Sequence, residues 1–445
     1  MKKLNSRSKM FWYAIGGMGV NMLNLMMGSY LCSAIIAKGF NPDVVGRHTF
    51  LGIDLVIVAV WGVIGVVAKI IDGVIDVPMA SFTDNLKTKF GRRRPAILIG
   101  LIPMIAAYVL FAAFVPNPTG ATILNTVYFG ILLCVFYTFY TLTMVTYYAT
   151  FTEIVETQEE RNFMSNVKSV CDIVYFILGY VVVSSMLNSM NIRTVALIVL
   201  PLVLTMAIPL FLIKEKSTRP EDVSLEDTIE RTKTVNLFKS IAYTFKNKNF
   251  ILWMVVYSFM TFGVQLFLSG INEYFSVAGM KMMYVMIGAF APVPFTLLIY
   301  NRLMKKRGFG FSFAYTLIIF AVGMFSMFLV SLLEAGTLKM VLSILTGVIS
   351  SFGIGSMFSV AYSVPSQLAA EEEKKTGVSN AAMYFAVQGL FAGVASGIGG
   401  SLVLTLLKDT EKVFYMTLIC GAAMIVSLAL MVFLPKSVKD MGRKG

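Results

Sequence analysis

Residues 54–95 read DLVIVAVWGVIGVVAKIIDGVIDVPMASFTDNLKTKFGRRRP. Most of this stretch is an apolar run long enough to cross a bilayer, which takes roughly 20 residues as helix. The run carries Lys69 and three aspartates, Asp54, Asp72 and Asp76, then stops at a tight basic turn, Asp84-Asn-Leu-Lys-Thr-Lys-Phe-Gly91-Arg-Arg-Arg-Pro95. Such a span, closed by arginines, reads as a membrane helix ending at a cytoplasmic loop.

The rest of the chain repeats that grammar. Of 445 residues, 57% are hydrophobic and only 14% charged, whereas soluble chains sit near half apolar and about a quarter charged. Mean hydropathy is +0.78. This excludes a secreted domain, a cytosolic enzyme and a disordered chain, and makes the lipid bilayer the main partner. Apolar runs fall at 10–38, 47–83, 95–116, 120–151, 166–188, 192–214, 249–273, 280–301, 310–333, 338–366, 380–407 and 412–435. The first is too long for a signal peptide and lacks a small-residue cleavage site. Twelve spans are therefore expected.

The net charge of +13 suits either a nucleic-acid face or topology signalling. Position decides. Lys38, Arg47, Arg193, Lys281, Lys339, Lys408 and Lys412 fall on the odd-to-even loops, Lys69 and Lys168 lie within spans, and every other Lys or Arg sits at a terminus or on the opposite loops. That asymmetry puts both termini in the cytoplasm and leaves no role for nucleic acid. Cys32, Cys134, Cys171 and Cys420 are far apart inside apolar runs and read as buried small hydrophobes. With His48 the only histidine, no histidine metal site or relay is available.

The polar stretch 215–248 separates a six-helix bundle at 1–214 from a second at 249–445. The halves repeat weakly. Asp84-Asn-Leu-Lys to Gly91 resembles Asn301-Arg-Leu-Met to Gly308, and Tyr148 to Asn166 resembles Tyr362 to Asn380. Two like-oriented bundles related by an axis along the membrane normal produce this pattern and alternate access around a central site.

Charges at depth carry the chemistry, because they are expensive there and face a cavity or a partner. Lys69, Asp72 and Asp76 are spaced i, i+3, i+7, one face of a helix. Two carboxylates against one ammonium leave about one negative charge, which a Na⁺, Li⁺ or H⁺ neutralises. The blander alternative is an ion triad that only locks helices. Gly62, Gly65 and Gly73 on the same helix permit close approach. Lys168 and Asp172 form an i, i+4 pair that satisfies itself. Asn21 and Asn24, Tyr140, Thr143 and Tyr148, Gln265, Asn272 and Gln388, with Lys69, are candidate contacts for a polar solute. Interhelical hydrogen bonding is the plainer reading of each. Asp84 and Arg92 can pair with Glu153 and Arg161 of loop 4–5, and Lys375 holds the matching place in the second half, as a cytoplasmic gate. As surface charges these pairs are worth under ~1 kcal/mol each.

Asp72-Gly-Val-Ile-Asp76-Val-Pro78-Met, followed by Asp84 and Gly91-Arg-Arg-Arg94-Pro95, resembles the signature of the glycoside–pentoside–hexuronide cation symporters. These are a branch of the major facilitator superfamily, with the melibiose permeases as best-known members. Thr146-Tyr-Tyr-Ala to Glu153, then Glu159-Glu-Arg161, resembles that family's second signature. The resemblance implies the twelve-helix major facilitator fold, Asp72 and Asp76 as coupling-cation ligands, Lys69 in place of an arginine, and Tyr148 as the aromatic that contacts sugar. Met144 and Asn21 stand where the permeases carry acids, and Gln388 where they carry a lysine. These departures argue against galactoside specificity and leave H⁺ and Na⁺ both open.

The expected protein is a monomeric symporter of the cell membrane that imports a sugar-like solute with a monovalent cation and has no cofactor. No HExxH, GxSxG, P-loop or zinc spacing suggests an enzyme. Two rivals stay open: the same fold as a drug exporter or lysolipid carrier, and a non-transporting receptor or scaffold.

Overall fold

The structure, a computed structural model, describes residues 6–154, 158–219, 247–376 and 381–441. Regular structure among them is entirely helical. Eight helical stretches are long and apolar enough to cross a membrane: Arg93–Ala113, Ile123–Thr150, Ile192–Leu212, Lys248–Ser269, Val293–Ser331, Thr337–Ile354, Val387–Asp409 and Val413–Met431; Val293–Ser331 is two helices joined across a kink at Gly308. Expected runs 10–38, 47–83, 166–188 and 280–301 are helical in shorter pieces. Apolar side chains lie open on the surface, Phe211 at 74%, Ile123 at 72% and Phe433 at 71%, which suits lipid as the surrounding solvent.

The chain folds into two compact units. One comprises Met1–Ile35, Gly46–Ile57 and Val74–Val235, the other Ile36–Val45, Val58–Gly73 and Asn236–Gly445. Of the polar stretch expected as a linker, 220–246 lies outside the described residues.

In the first unit the Arg93–Ala113 helix packs along Ile123–Ile154. Gly100 permits this: a Cβ there would meet Thr143 Oγ1 at 2.3 Å and Phe139 O at 2.9 Å. The first and fifth runs each contain a π-helical turn, Met27–Leu31 and Leu178–Val182. Such turns shift carbonyls out of the regular ladder. Here Tyr30 OH donates to Gly179 O at 2.8 Å, and Ser29 Oγ bonds Tyr180 OH at 3.1 Å, so the two irregular turns satisfy one another.

In the second unit Lys248–Ser269 packs on Met416–Met431, and Val293–Ser331 on Thr337–Thr376. Asn247 caps Lys248–Ser269, its side chain accepting from Asn249 and Phe250 N–H groups. The Val58–Val74 helix lies against the Ala381–Val403 stretch along a seam of small residues. A Cβ on Gly65 would meet Ser401 Oγ at 2.4 Å, and one on Gly73 would meet Gly389 O at 2.5 Å. The close approach expected of these glycines is thus directed at another helix.

Two glycines that the sequence places in matching turns share a backbone conformation. Gly91 has φ +85° and Gly308 φ +83°, the left-handed region where a side chain is strained. Each turn is braced by chain that follows its own half's last long helix. Glu215 Oε2 accepts from Arg93 N at 2.8 Å, capping the next helix, and Met441 O accepts from Phe309 N at 2.9 Å. Thr218 adds three bonds to the first turn: its N–H donates to Thr88 O at 3.0 Å, and its Oγ1 accepts from Thr88 N at 3.0 Å and donates to Leu86 O at 2.9 Å.

Candidate solute and cation sites

The first unit gathers a polar cluster inside an apolar surround. Asn21 lies on Met18–Met26 and is buried. Tyr140 and Tyr148, eight residues apart on Ile123–Ile154, present one helix face. Tyr140 OH donates to Asn21 Oδ1 at 3.1 Å, and Asn21 Nδ2 donates to Tyr148 OH at 3.4 Å. One amide therefore orients two phenols. Tyr148 remains 36% exposed, and Lys168 Nζ sits 5.2 Å from its ring centroid. Lys168 in turn pairs with Asp172 at 2.5 Å, both half-buried. One turn after Asn21, Asn24 Oδ1 is buried and accepts no hydrogen bond. A buried acceptor without a donor is costly and rare, so a hydroxyl-bearing solute has a place to donate.

Thr143 lies elsewhere. It is fully buried against Gly100, its hydroxyl bonded to Phe139 O at 2.8 Å.

In the second unit, Lys69 Nζ stands 3.4 Å from Asp72 Oδ2, with side chains 18% and 27% exposed. Both sit in the last turns of Val58–Val74. The helix does not run on to Asp76: it ends at Val74, and a new helix, Asp76–Asp84, opens after Ile75. The expected shared face of Lys69, Asp72 and Asp76 presumes an unbroken helix. Ile75 itself keeps right-handed helical dihedrals, φ −75° and ψ −14°, and Asp76 is exposed in the first turn of the second helix, where a carboxylate is favoured.

Gln388 is buried, with Oε1 accepting from Trp253 Nε1 at 2.9 Å. Gln265 Nε2 donates to Ser269 Oγ at 2.9 Å. Asn272 is buried on the next short helix, Ile271–Ala278. Of the expected gate, Arg92 is described and half-buried, while the side chains of Asp84, Glu153, Arg161 and Lys375 lie outside the described residues.

Several groups escaped the sequence reading. Ser258 and Thr261 Oγ atoms are buried without partners, and with Gln265 they form an i, i+3, i+7 stripe on Lys248–Ser269. That spacing was visible, although hydroxyls one turn apart are common in apolar helices. Glu273 was read as the end of a span and Lys408 as a loop charge. Instead they form a fully buried ion pair, Nζ to Oε1 2.7 Å. Flanking apolar residues on both sides, Ile271, Tyr274 and Phe275 for Glu273, were the signal.

Solved transporter structures share this fold. A variant of the nucleoside transporter NupG is 13% identical, with TM-score 0.65, covering 97% of this chain and 100% of its own. A POT family transporter in complex with a thioalcohol-conjugated peptide is 13% identical, with TM-score 0.63, covering 97% and 96%. A bacterial homologue of the human lysosomal transporter Spinster is 12% identical, with TM-score 0.59, covering 98% of each chain. Comparison with curated proteins gave no match. Eight helical stretches long and apolar enough to span a bilayer suit a multi-pass membrane protein. The chain belongs to the MFS/sugar transport protein family, whose model matches residues 12–435, the glycoside–pentoside–hexuronide-like branch expected from the Asp72–Pro95 signature.

Proposed function

We propose that the protein is a monomeric, twelve-span symporter of the cell membrane, with both termini cytoplasmic. It imports a sugar, glycoside or similar polar solute with H⁺ or Na⁺. Asn21, Asn24, Tyr140 and Tyr148 bind the solute, with Lys168 beside them. Asp72 and Asp76 bind the coupling cation, next to Lys69. The observation that carries the reading is Asn24 Oδ1, buried and without a donor one turn from the Asn21–Tyr140–Tyr148 cluster. In the cycle, cation binding offsets the carboxylate charge, solute binding follows, and contacts of loops 2–3 and 4–5 release. The driving force is the solute's and cation's differential affinity for the two access states.

The test is uptake into proteoliposomes across a sugar panel, with Na⁺ and pH gradients imposed separately. Asp72→Asn and Asp76→Asn should abolish uphill uptake while leaving exchange. Gradient-driven accumulation at the parent level in the double variant would overturn the assignment.

A second reading, an amphipathic solute such as a lysolipid, is favoured by one observation. An apolar groove of about 430 Å³ runs between Phe11, Ile15 and Met18 on one side and Phe163, Val167 and Cys171 on the other. The groove lies along the Gln158–Ile177 helix, which also carries Lys168 and Asp172. Counterflow of sugars against lysolipids separates the two.

A further inference from the structure

The second unit also holds a basic pocket lined by none of the solute or cation residues above. It has a volume of about 270 Å³ and opens between the Gly279–Lys281 bend and the chain from Ala335 to Ser343. Its lining includes two lysines, Lys281 and Lys339, and no acid. Lys339 is only 8% exposed. Its Nζ donates to Ser331 O at 3.1 Å and to Leu333 O at 3.0 Å. An ammonium has three donors, so one is left over. Two neutral carbonyls also leave the charge itself uncompensated, and a buried charge without a counter-charge is costly. Lys281 is exposed at the rim, 5.8 Å from the Tyr284 ring centroid. Neither lysine is in an ion pair among the described residues. Glu334, the acid nearest to Lys339 in sequence, is exposed and does not line the pocket.

The backbone around the pocket has the same sign. The helices Met282–Phe290 and Thr337–Thr376 both start here, with no acid in either first turn. Lys281, which precedes the first of them, makes no side-chain cap. Helix starts leave N–H groups without intrahelical partners and carry partial positive charge. Gly279 keeps the approach to the buried ammonium open: its backbone is left-handed, φ +59°, and a Cβ there would stand 3.6 Å from Lys339 Nζ. Beside the pocket, Leu338 and Val341 are exposed, apolar surface that in a membrane faces acyl chains.

We propose that this pocket binds a phosphate group, with Lys339 and Lys281 as its cationic ligands. Phosphate brings negative charge and several acceptor oxygens. One oxygen takes the spare Lys339 N–H, and Lys281 reaches another from the rim. Two sources carry this group: an anionic phospholipid, whose chains then lie on Leu338 and Val341, and free phosphate. The apolar edge of the pocket favours the lipid.

The test uses the full chain, delipidated in detergent and without transport solute, so its outcome is independent of the symport reading. Dihexanoyl-phosphatidylglycerol, inorganic phosphate and dihexanoylglycerol, which lacks phosphate, are titrated separately, and binding is read by native mass spectrometry. Saturable binding of the phosphatidylglycerol is expected. Lys281→Gln should weaken it about fivefold and Lys339→Met about tenfold or more. Lys281→Gln leaves both carbonyl bonds of Lys339 in place and serves if Lys339→Met does not fold. Lys412→Gln, an exposed lysine outside the pocket, should change nothing. Inorganic phosphate that binds as tightly, with the same dependence on the two lysines, supports the site and assigns the free anion as its source. Absence of saturable binding by either phosphate compound, equal binding of dihexanoylglycerol, or a loss in Lys412→Gln as large as in Lys281→Gln would overturn the proposal. So would an unchanged affinity in Lys339→Met and Lys281→Gln, which would leave Lys339 as a cap on the Ser331 and Leu333 carbonyls alone.

Discussion

Replacing Asn21 with Ala should separate a solute-binding cluster from a merely structural one. The substitution removes the acceptor of Tyr140 OH (3.1 Å) and the donor to Tyr148 OH (3.4 Å). Tyr140 is half-buried, so its hydroxyl loses a good bond with limited access to water, at a cost of about 1–2 kcal/mol. The Tyr148 bond is long and its ring 36% exposed, so water replaces it at close to no cost. A double-mutant cycle of Asn21→Ala with Tyr140→Phe should therefore give a coupling of about 1 kcal/mol in thermal stability, and one with Tyr148→Phe close to zero. Solute affinity should follow the opposite pattern. Tyr148→Phe should weaken binding by about tenfold, the equivalent of one hydrogen bond of about 1.4 kcal/mol, while leaving stability unchanged. The assays are detergent thermal unfolding and equilibrium binding on the same preparations. If Tyr148→Phe destabilises as much as Asn21→Ala and leaves affinity untouched, the cluster is packing and the solute assignment fails.

Gly91→Ala should cost about 2–3 kcal/mol, combining the left-handed backbone penalty with displacement of Glu215, whose Cβ would lie 2.3 Å from the new methyl. Gly308→Ala should cost a similar amount, since its methyl meets Lys439 O at 2.8 Å; chemical denaturation of each variant checks both. Trp253→Phe takes from buried Gln388 the indole donor at 2.9 Å and should destabilise by about 1–3 kcal/mol, again read by chemical denaturation. Gly73→Leu should disrupt the packing of Val58–Val74 on Gly389, and a melting temperature equal to the parent's would refute the seam.

The membrane class and the family were legible because they rest on features that survive folding unchanged. Apolar run lengths near 20 residues became single long helices for the runs beginning near 95, 120, 192, 249, 310, 338, 380 and 412. Where the chain departs from one regular helix, the reading lost resolution. Gly16 and Gly17 interrupt the first run, and Ile75 interrupts the second. Hydropathy averages over such breaks. Positive φ at Gly91 and Gly308 was foreshadowed by their matched place in the repeat. The Asn21–Tyr140–Tyr148 cluster was legible as residues but not as bonds, since the contacts join positions more than a hundred residues apart. Glu273 and Lys408 were misread because a charge beside a span's end is normally wet, whereas here each is buried against the other.

The glycine seam bears on biogenesis. Gly73 and the residue it abuts, Gly389, are 316 positions apart (389 − 73). At roughly 5–20 residues per second of translation, a ribosome needs about 16–63 s to deliver the second after the first. Throughout that interval the grooved flank of Val58–Val74, with its unscreened carbonyls, has only lipid or the insertion machinery for company. A nascent carrier of this design therefore offers quality-control factors an early, lasting signal of incompleteness, extinguished only when nearly nine-tenths of the polypeptide has emerged.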